Sequence, residues 1–218
     1  MQTIIVRPLA AEDSLVELTT LLHRAFARLK RMGLACRSAD QPVAVTRQRI
    51  GQGECFVAVC GGRIVGTLTL YRHERTSESE VYRSRRVASL HQFAVEPEFQ
   101  GRGIGRRLLE YAESWSARHG YRELALDTPA PAEHLIAFYQ HHGFYRAETL
   151  AFTGRPYRSA VLVKAVSPRA AGFSSFADTP LSAARHFLNR RAFAHSRPAC
   201  GVIRGLAPRL RQHLVSAR

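Results

Sequence analysis

The stretch with the clearest chemical meaning is a glycine-rich loop, Gln100-Gly101-Arg102-Gly103-Ile104-Gly105, followed by an apolar helical pattern. Glycines let a ligand approach the backbone closely, and the first N–H groups of a helix have no partner inside the helix. These groups and the positive end of the helix dipole attract anions. Arg102, Arg106 and Arg107 add positive charge. The loop therefore predicts a pyrophosphate site, the alternative being a turn that enters a helix without holding a ligand.

Two common phosphate-binding motifs do not fit this loop. The dinucleotide motif G-x-G-x-x-G would need a glycine where Arg106 stands. The P-loop motif G-x-x-x-x-G-K-[ST] would need a lysine and a hydroxyl residue after its last glycine, but Arg106 and Arg107 follow Gly105 here. What remains is a strand, a Q-G-R-G-I-G loop and a helix that starts at the last glycines.

This loop resembles the Q/R-x-x-G-x-G/A acyl-CoA signature of the GCN5-related N-acetyltransferase (GNAT) family, and it follows the strand "LHQFAVEP" as that signature does. The later "AFYQHHGF" resembles the family's F-Y-x-x-x-G-F element. The resemblance covers about residues 3–166. It implies an α/β (α+β) fold of GNAT type, with a mixed, mostly antiparallel central sheet flanked by helices. It also implies transfer of acetyl from acetyl-CoA to a primary amine by direct attack, with no metal.

The resemblance further implies which residues hold acetyl-CoA. The pantetheine arm would pair with the backbone of the strand before the loop, like an added strand, and the loop would hold the pyrophosphate. The cofactor-binding residues implied are Phe93, Ala94, Val95, Gln100, Gly101, Arg102, Gly103, Ile104, Gly105 and Arg106. An asparagine that often begins the following family helix is replaced by Ala132, so one cofactor contact is expected to be missing.

Two residues are expected to move protons. Tyr139 occupies the tyrosine position of the late element, where the family commonly places the acid that protonates the coenzyme A sulfur; the alternative is a core aromatic residue. His91 is the first candidate for the base because imidazole titrates near neutrality. Glu78 and Glu80 are the next candidates, and for all three a solvated or structural role remains open.

The elements that must position these residues follow from apolar periodicity. The order predicted is β, α, α, β, β, β, α, β, α, β, β, with a hairpin at Gly61-Gly62 and a weakly defined helix over 40–50. Leu15, Leu18, Leu22 and Phe26 form the apolar stripe of the first helix. Meandering strands combined with strand-helix-strand units indicate a mixed sheet with helices on both faces.

Composition sets limits on partners and compartment. The net charge is +15, and residues 167–218 hold nine arginines and one acid, so they carry +8 of it. We expect an acetyltransferase domain over 1–166 and a basic tail, partly helical or disordered, over 167–218. Nucleic acid could bind only through this tail. The four cysteines form no CxxC pair and the histidines no metal-ligand set, so a metal-free protein of the cytoplasm is expected.

Two functions stay open at this level. The first is an N-acetyltransferase, with paired subunits possible because they are frequent in the family. The second is a non-catalytic acyl-CoA sensor of the same fold whose basic tail binds a polyanion. The amine acceptor is not identified by any motif, although residues 31–50 and 74–86 are expected to contribute to its site.

Overall fold

The protein is described here by a computed structural model that covers residues 3–167. The strands are β1 (Ile4–Pro8), β2 (Glu54–Cys60), β3 (Arg63–Tyr71), β4 (Val87–Val95), β5 (Glu123–Pro129), β6 (Tyr145–Leu150) and β7 (Ser159–Ala165). The helices are α1 (Leu15–Arg31), α2 (Val43–Ile50), α3 (Glu80–Arg83), α4 (Ile104–Arg118) and α5 (Glu133–His141), with 3₁₀ turns at Arg37–Ala39 and Pro97–Phe99. Apart from Ser167, the predicted basic tail lies outside the described residues.

The seven strands form one sheet in the order β1-β2-β3-β4-β5-β7-β6. All neighbouring pairs are antiparallel except β4 and β5, which run parallel. The β4–β5 pairing covers only Val87–Leu90 against Glu123–Leu126. Beyond Leu90 the two strands separate, so the rest of β4 has no partner on its β5 side. The predicted mixed, mostly antiparallel sheet is confirmed.

A β-bulge in β4 lies just past the point of separation. Thr67 pairs with Ala94 and Thr69 with His91, so two residues of β4 oppose the single residue Leu68. Gln92, one of those two, has a φ of 49°. A bulge shifts the alternation of side chains between the two faces of a sheet. As a result His91 lies on one face, and Phe93 and Val95 pack against the core on the other.

Helix α1 packs on one face of the sheet. It begins at Leu15 because the Ser14 hydroxyl accepts a hydrogen bond from the Glu17 N–H and caps the first turn. Its apolar stripe, including Leu18 and Leu22, is buried against Val57 of β2. Asp13, just before the cap, instead pairs with Arg7 at 2.6 Å.

Helices α4 and α5 cover the opposite face. Leu108, Leu109 and Trp115 of α4 join the largest apolar cluster, together with Ile136 of α5 and the facing side chains of the strands. This packing holds the start of α4, and so the glycine loop, against the end of β4. Gly66 on β3 allows that close approach, because a Cβ there would lie 3.0 Å from Leu108 Cδ1.

The observed element order matches the prediction with one addition. The hairpin between β2 and β3 is confirmed, and its two glycines have φ values of 57° and 79°. The second helix is shorter than predicted and begins at Val43, because a 3₁₀ turn precedes it. The polar segment after β3 contains the short helix α3, which the periodicity analysis missed because four residues are too few to show a helical pattern.

Candidate functional site

A cleft of about 1270 Å³ opens where β4 and β5 separate. Four strand or loop segments line its centre: the end of β3 with the residues after it, residues 90–95, the glycine loop and the end of β5. The outer walls come from the end of α1, residues 35–52, helix α5 and residues 152–157. The two segments predicted to contribute to the acceptor site, 31–50 and 74–86, both supply lining residues. The cleft therefore joins the glycine loop to the predicted catalytic residues.

The glycine loop lies at the beginning of α4, as the sequence predicts. Gly101 and Gly103 have φ values of 73° and 77°, in the left-handed region that favours glycine, and Gly103 is the residue at which α4 is capped. Gly105 faces an aromatic wall, because a Cβ there would lie 3.4 Å from Phe138 Cζ and 3.6 Å from Phe93 Cζ. The first N–H groups of α4 have no intrahelical acceptor. The loop can therefore accept an anionic group at close range.

The three arginines around this loop have different surroundings. Arg106 lines the cleft and pairs with Glu110 at 3.4 Å. Arg102 lies over the Phe99 ring at 5.0 Å and does not line the cleft. Arg107 donates to the backbone carbonyl of Ile4, on the side of β1. Of the three, only Arg106 is oriented to add charge to the cleft.

Ile104 and Gln100 also have defined places. The Ile104 side chain is buried in the main apolar cluster, so this residue offers the cleft only its backbone. Gln100 lines the cleft, and its side-chain amide donates to the Val95 carbonyl at 3.0 Å. This hydrogen bond ties the loop to the end of β4.

The unpaired side of β4 forms one wall of the cleft. Phe93, Ala94 and Val95 all line it, and their strand pairs with β3 but not with β5 at this level. An unpaired strand edge binds extended chains through its backbone N–H and C=O groups. Since Gln100 already bonds the Val95 carbonyl, the groups free for such pairing belong to the residues before it.

Tyr139 of α5 lines the cleft from the face opposite to His91 and is almost fully buried. Its ring contacts Phe93, Phe138 and Phe144 at centroid distances of 6.2, 5.3 and 5.9 Å. Burial, and to a lesser degree the Asp127 carboxylate, raises the pKa of the Tyr139 phenol well above its ordinary value. The phenol is therefore protonated at neutral pH and can act as a proton donor.

His91 lies at the end of the β4–β5 pairing and lines the cleft. Its Nε2 is 2.9 Å from Glu74 Oε1 and 3.0 Å from Ser89 Oγ, and its ring stacks on Tyr71 at 4.1 Å. Burial alone would raise the pKa of Glu74, but the hydrogen bonds and charge supplied mainly by His91 hold this pKa below its ordinary value. With Glu74 accepting the Nε2 proton, Nδ1 is the ring nitrogen left to exchange a proton with a substrate.

The two acidic candidates for the base have structural partners. Glu78 accepts hydrogen bonds from the N–H and the hydroxyl of Thr153, joining the segment before α3 to the β6–β7 connection. Glu80 pairs with Arg83 one helical turn later and does not line the cleft. Of the three predicted candidates, His91 has the geometry that best suits a base.

A second polar cluster in the cleft was not predicted. Asp127, near the end of β5, accepts a hydrogen bond from the Tyr82 hydroxyl at 3.1 Å and forms an ion pair with Arg155. The side chain of Asp127 is nearly buried. The available signal was its position at the carboxyl end of a parallel strand, where functional groups concentrate in α/β sheets. Glu74 was missed because it follows β3 in a segment without periodicity.

Ala132 is fully buried at the start of α5. It packs with Leu29 and Leu34 at the end of α1 in a small apolar cluster. This packing explains an alanine where the family often has asparagine, because a buried amide would need partners that an apolar cluster does not offer.

The described residues contain no group of three or more His, Cys, Asp or Glu side chains placed to hold a metal ion. Cys55 and Cys60 face opposite sides of the sheet, as their spacing predicts, since they belong to different apolar clusters. Within 3–167 no helix has the length and apolar character needed to cross a membrane.

Comparison with known proteins agrees with this geometry. The "Acetyltransferase (GNAT) family" model matches residues 36–144. An aminoglycoside N(6')-acetyltransferase type 1 from Stenotrophomonas maltophilia is 30% identical over 152 residues, covering 68% of this chain and 96% of that protein. The S-(2-succino)cysteine N-acetyltransferase of Bacillus subtilis (strain 168) is 28% identical over 141 residues, covering 64% of this chain and 83% of that protein.

Solved structures share the fold. The ribosomal-protein-S18-alanine N-acetyltransferase from Escherichia coli aligns with a TM-score of 0.58 at 18% identity, covering 79% of this chain and all of that chain. A GNAT acetyltransferase from Elizabethkingia anophelis with acetyl-CoA bound aligns with a TM-score of 0.54 at 19% identity, covering 75% and 98%. Since the family model spans half of the chain and a relative of 30% identity covers two thirds of it, this protein belongs to the GNAT family of acetyltransferases.

Proposed function

We propose that the protein is an N-acetyltransferase that moves an acetyl group from acetyl-CoA to a primary amine by direct attack. One observation carries this proposal: a single cleft connects the helix N-terminus at Gly103, the unpaired side of β4, and the side chains of His91 and Tyr139, which both line it. Each part corresponds to one requirement of the reaction. They are an anion site, a track for an extended arm, a proton acceptor and a proton donor.

Acetyl-CoA would lie along this cleft in a defined direction. The N–H groups from Gly101 to Arg106 would hold its pyrophosphate, and Arg106 would add charge. The pantetheine arm would pair with the backbone around Phe93 and Ala94. The described residues suit this ligand because the Gly105 position, facing Phe93 and Phe138, leaves space that a larger side chain would fill. The thioester would then lie near the end of the β4–β5 pairing.

The chemistry follows from the two side chains at that point. His91 Nδ1 takes a proton from the acceptor ammonium group, directly or through water, with Glu74 stabilising the imidazolium. The amine nitrogen then forms a bond to the thioester carbonyl carbon as the C–S bond breaks. Tyr139 supplies a proton to the departing sulfur, and the second proton of the amine nitrogen passes to the resulting tyrosinate, directly or through water. His91 returns its proton to solvent. The products are an N-acetylated amine and coenzyme A.

The raised pKa of Tyr139 is consistent with an acid at this position. A phenol that ionises only at high pH still carries its proton at neutral pH, as a group that donates to sulfur must. The two curated relatives are named for different amines, an aminoglycoside and S-(2-succino)cysteine. Their names support amine acetylation and leave the acceptor of this chain to be identified by its own cleft.

The first test is calorimetric titration of the full chain with acetyl-CoA and with CoA. We expect binding by the wild type and its loss in Gly103→Glu, because the new carboxylate would lie in the proposed pyrophosphate site. The matched control is Gly120→Glu at the other end of α4. Gly120 has a similar φ of 80° and equally open space around its Cα, so this variant carries the same charge and backbone strain away from the cleft.

An acceptor screen with release of free coenzyme A as the readout completes the test. Turnover of an amine, reduced strongly in Tyr139→Phe, would support the proposal. Absence of acetyl-CoA binding by the wild type would overturn it. Binding without turnover over a broad amine panel would overturn catalysis and favour an acyl-CoA sensor.

A further inference from the structure

Arg49, at the end of α2, lines the acceptor side of the cleft and has no role in the proposed acetyl transfer. Its Nη1 donates to Ser38 Oγ at 2.9 Å and to Gln41 Oε1 at 2.8 Å. Both acceptors are neutral, and both side chains belong to buried residues. The guanidinium is therefore held in place by groups that do not balance its charge.

The cleft as a whole has more arginine side chains than acidic side chains to pair with them. Its acidic side chains are all engaged: Asp40 with Lys30, Glu74 with His91, Glu78 with Thr153, and Asp127 with Tyr82 and Arg155. Among the arginines of the lining, Arg28, Arg31, Arg37 and Arg49 form no ion pair with any residue between 3 and 167. The acceptor side thus carries excess positive charge.

A partly buried guanidinium without an acidic partner is unfavourable unless a ligand supplies the anion. Burial lowers the pKa of Arg49, and neighbouring Arg37 and Arg155 lower it further, while the Tyr71 hydroxyl offsets only part of this effect. Guanidinium groups bind carboxylates through paired, charge-assisted hydrogen bonds. Within residues 3–167 neither Nη2 nor Nε of Arg49 donates to a carboxylate, so both can still form such a pair.

The position of Arg49 separates this charge from the coenzyme A phosphates. The Tyr71 hydroxyl donates to the Arg49 carbonyl at 2.8 Å, and the Tyr71 ring stacks on His91. Arg49 is therefore one tyrosine side chain away from the proposed base. The glycine loop begins beyond Val95, and four residues of strand from His91 to Val95 span roughly 13 Å. An anion at Arg49 would belong to the acceptor.

We propose that the acceptor is a primary amine that carries a carboxylate, and that Arg49 binds this carboxylate and so orients the amine toward His91. The inference rests on the proposed acetyl transfer and names its substrate class. It makes Arg49 a binding residue for the acceptor with no part in holding acetyl-CoA.

The test compares acids with their amides as acceptors. Aspartate and glutamate would be assayed beside asparagine and glutamine, which lack the side-chain carboxylate, and beside the α-amides of all four, which lack the α-carboxylate. An aminoglycoside, a polycationic amine, is the contrasting class. For the preferred acid we expect kcat/KM about tenfold or more above that of its amide, in line with a charge-assisted pair. Equal or better turnover of the amides or of the aminoglycoside would overturn the inference while leaving acetyl transfer intact.

Variants at position 49 give the second comparison. Arg49→Gln keeps a donor for Ser38 and Gln41 but removes the charge, and Arg49→Lys keeps the charge without the paired geometry. We expect Arg49→Gln to raise KM for the acid by about tenfold or more and to bring acid and amide within about threefold of each other. The KM for acetyl-CoA should stay unchanged. The matched control is Arg47→Gln, an exposed arginine on the same helix that does not line the cleft.

A binding measurement on the wild type tests the inference even if Arg49→Gln fails to fold or no amine of the panel is acetylated. Glutarate, a dicarboxylate without an amine, would be titrated into the CoA-bound protein. We expect binding that succinimide, an uncharged compound of related size, does not show and that Arg47→Gln retains. No binding of glutarate to wild type that binds CoA would overturn the inference. Failure of CoA itself to bind would instead count against the proposed function.

Discussion

Tyr139 and His91 belong to different elements. The surroundings of Tyr139 suit a proton donor, and those of His91 suit a proton acceptor. Tyr139 lies among aromatic rings, where the neutral phenol is favoured. His91 lies beside the carboxylate of Glu74, which accepts its Nε2 proton at 2.9 Å. A pair of titratable groups whose environments differ in this way is typical of an acid and a base in one site.

At the residue scale, we predict that Tyr139→Phe lowers kcat by about 10²-fold and leaves KM for acetyl-CoA nearly unchanged. The hydroxyl has no hydrogen bond within residues 3–167, so the fold should tolerate its loss, which thermal unfolding would check.

Because burial raises the pKa of Tyr139, its proton stays bound as pH rises through the ordinary range of tyrosine. The wild-type kcat should therefore show no decline between pH 8 and about 10 from ionisation of this residue. A decline in that interval that Tyr139→Phe abolishes would contradict the assigned pKa direction.

A second prediction concerns Glu74, which acts through His91. Glu74→Gln keeps the size of the side chain but removes the charge that favours the imidazolium, so we expect kcat to fall by about tenfold with little change in acetyl-CoA binding. His91→Gln should lower kcat further, and the double variant should be no worse than His91→Gln alone, since the two residues act as a unit. Additive losses in a double-mutant cycle would mean that Glu74 acts on the reaction independently of His91.

The low pKa of Glu74 also affects stability. Since this pKa is held below that of an unfolded glutamate, the ionised group stabilises the folded state above the ordinary carboxyl pKa. This stabilisation is lost as pH falls through the lowered pKa. Glu74→Gln should therefore show a flatter decline in melting temperature than the wild type between pH 5 and about 3.

At the scale of elements, the junction between α1 and the glycine loop is held by one ion pair. Arg24 of α1 makes two hydrogen bonds of 2.7 Å to the carboxylate of Glu96, which follows β4 directly. The Glu96 side chain is only 4% exposed, whereas that of Arg24 is 46% exposed. Loss of Arg24 leaves a buried carboxylate with only the more distant Arg63, at 3.9 Å, to balance it. Loss of the Glu96 charge leaves an arginine that water can reach.

This asymmetry predicts unequal costs for the two halves of the pair. Arg24→Gln should lower the free energy of unfolding by about 1–2 kcal/mol, a figure reduced for the exposure of Arg24, and the melting temperature by about 3–6 °C. Glu96→Gln should cost less, because the neutral amide keeps the shape and needs no counter-charge. Denaturant unfolding of both variants measures the difference. A larger loss in Glu96→Gln would show that the pair stabilises the junction through the arginine.

The β-bulge at Gln92 is the element-scale feature that decides which side chains of β4 lie on each face beside the cleft. It lies where the β4–β5 pairing has ended, and it moves the side chains of the following residues to the opposite faces of the sheet. Without it, the residues after His91 would continue the earlier alternation, and Phe93 would share a face with His91. The bulge thus allows a base on one face and an apolar track on the other within three residues.

At the scale of the whole molecule, the charge is unevenly distributed along the chain. Residues 167–218 carry nine arginines and one aspartate, so they hold +8 of the net +15. Within residues 3–167, the apolar side chains form the clusters that hold the sheet and its helices together. We propose, on the basis of this composition, that the chain divides into a catalytic domain and a basic tail.

This division predicts the behaviour of a chain that ends at residue 166. Its melting temperature should stay within about 2 °C of that of the full chain, because all described core contacts are retained. Its elution from a heparin column should shift to lower salt, because more than half of the positive excess is removed. Unchanged elution would show that the arginines of the domain dominate contact with polyanions, and a large drop in melting temperature would contradict the proposed boundary.

The sequence by itself determined the main elements and the glycine loop of this protein. Strand and helix periods follow from local alternation of apolar residues, and the requirement for positive φ at Gly61, Gly62, Gly101 and Gly103 is a local property of the chain. The family signature then linked the loop to Tyr139. These features could be predicted because each depends on residues that are close together in the chain.

Only the tertiary structure decided what surrounds those residues. His91 meets Glu74 from 17 residues away, and Asp127 meets Arg155 from 28 residues away. Arg49 is held by Gln41, 8 residues away, and has no acidic partner in the described part of the chain. Sequence spacing contains no signal for such contacts, since they depend on where β4 and β5 separate and on how the loops fold over the gap. Side-chain environment, and with it pKa and specificity, is a product of packing between distant segments.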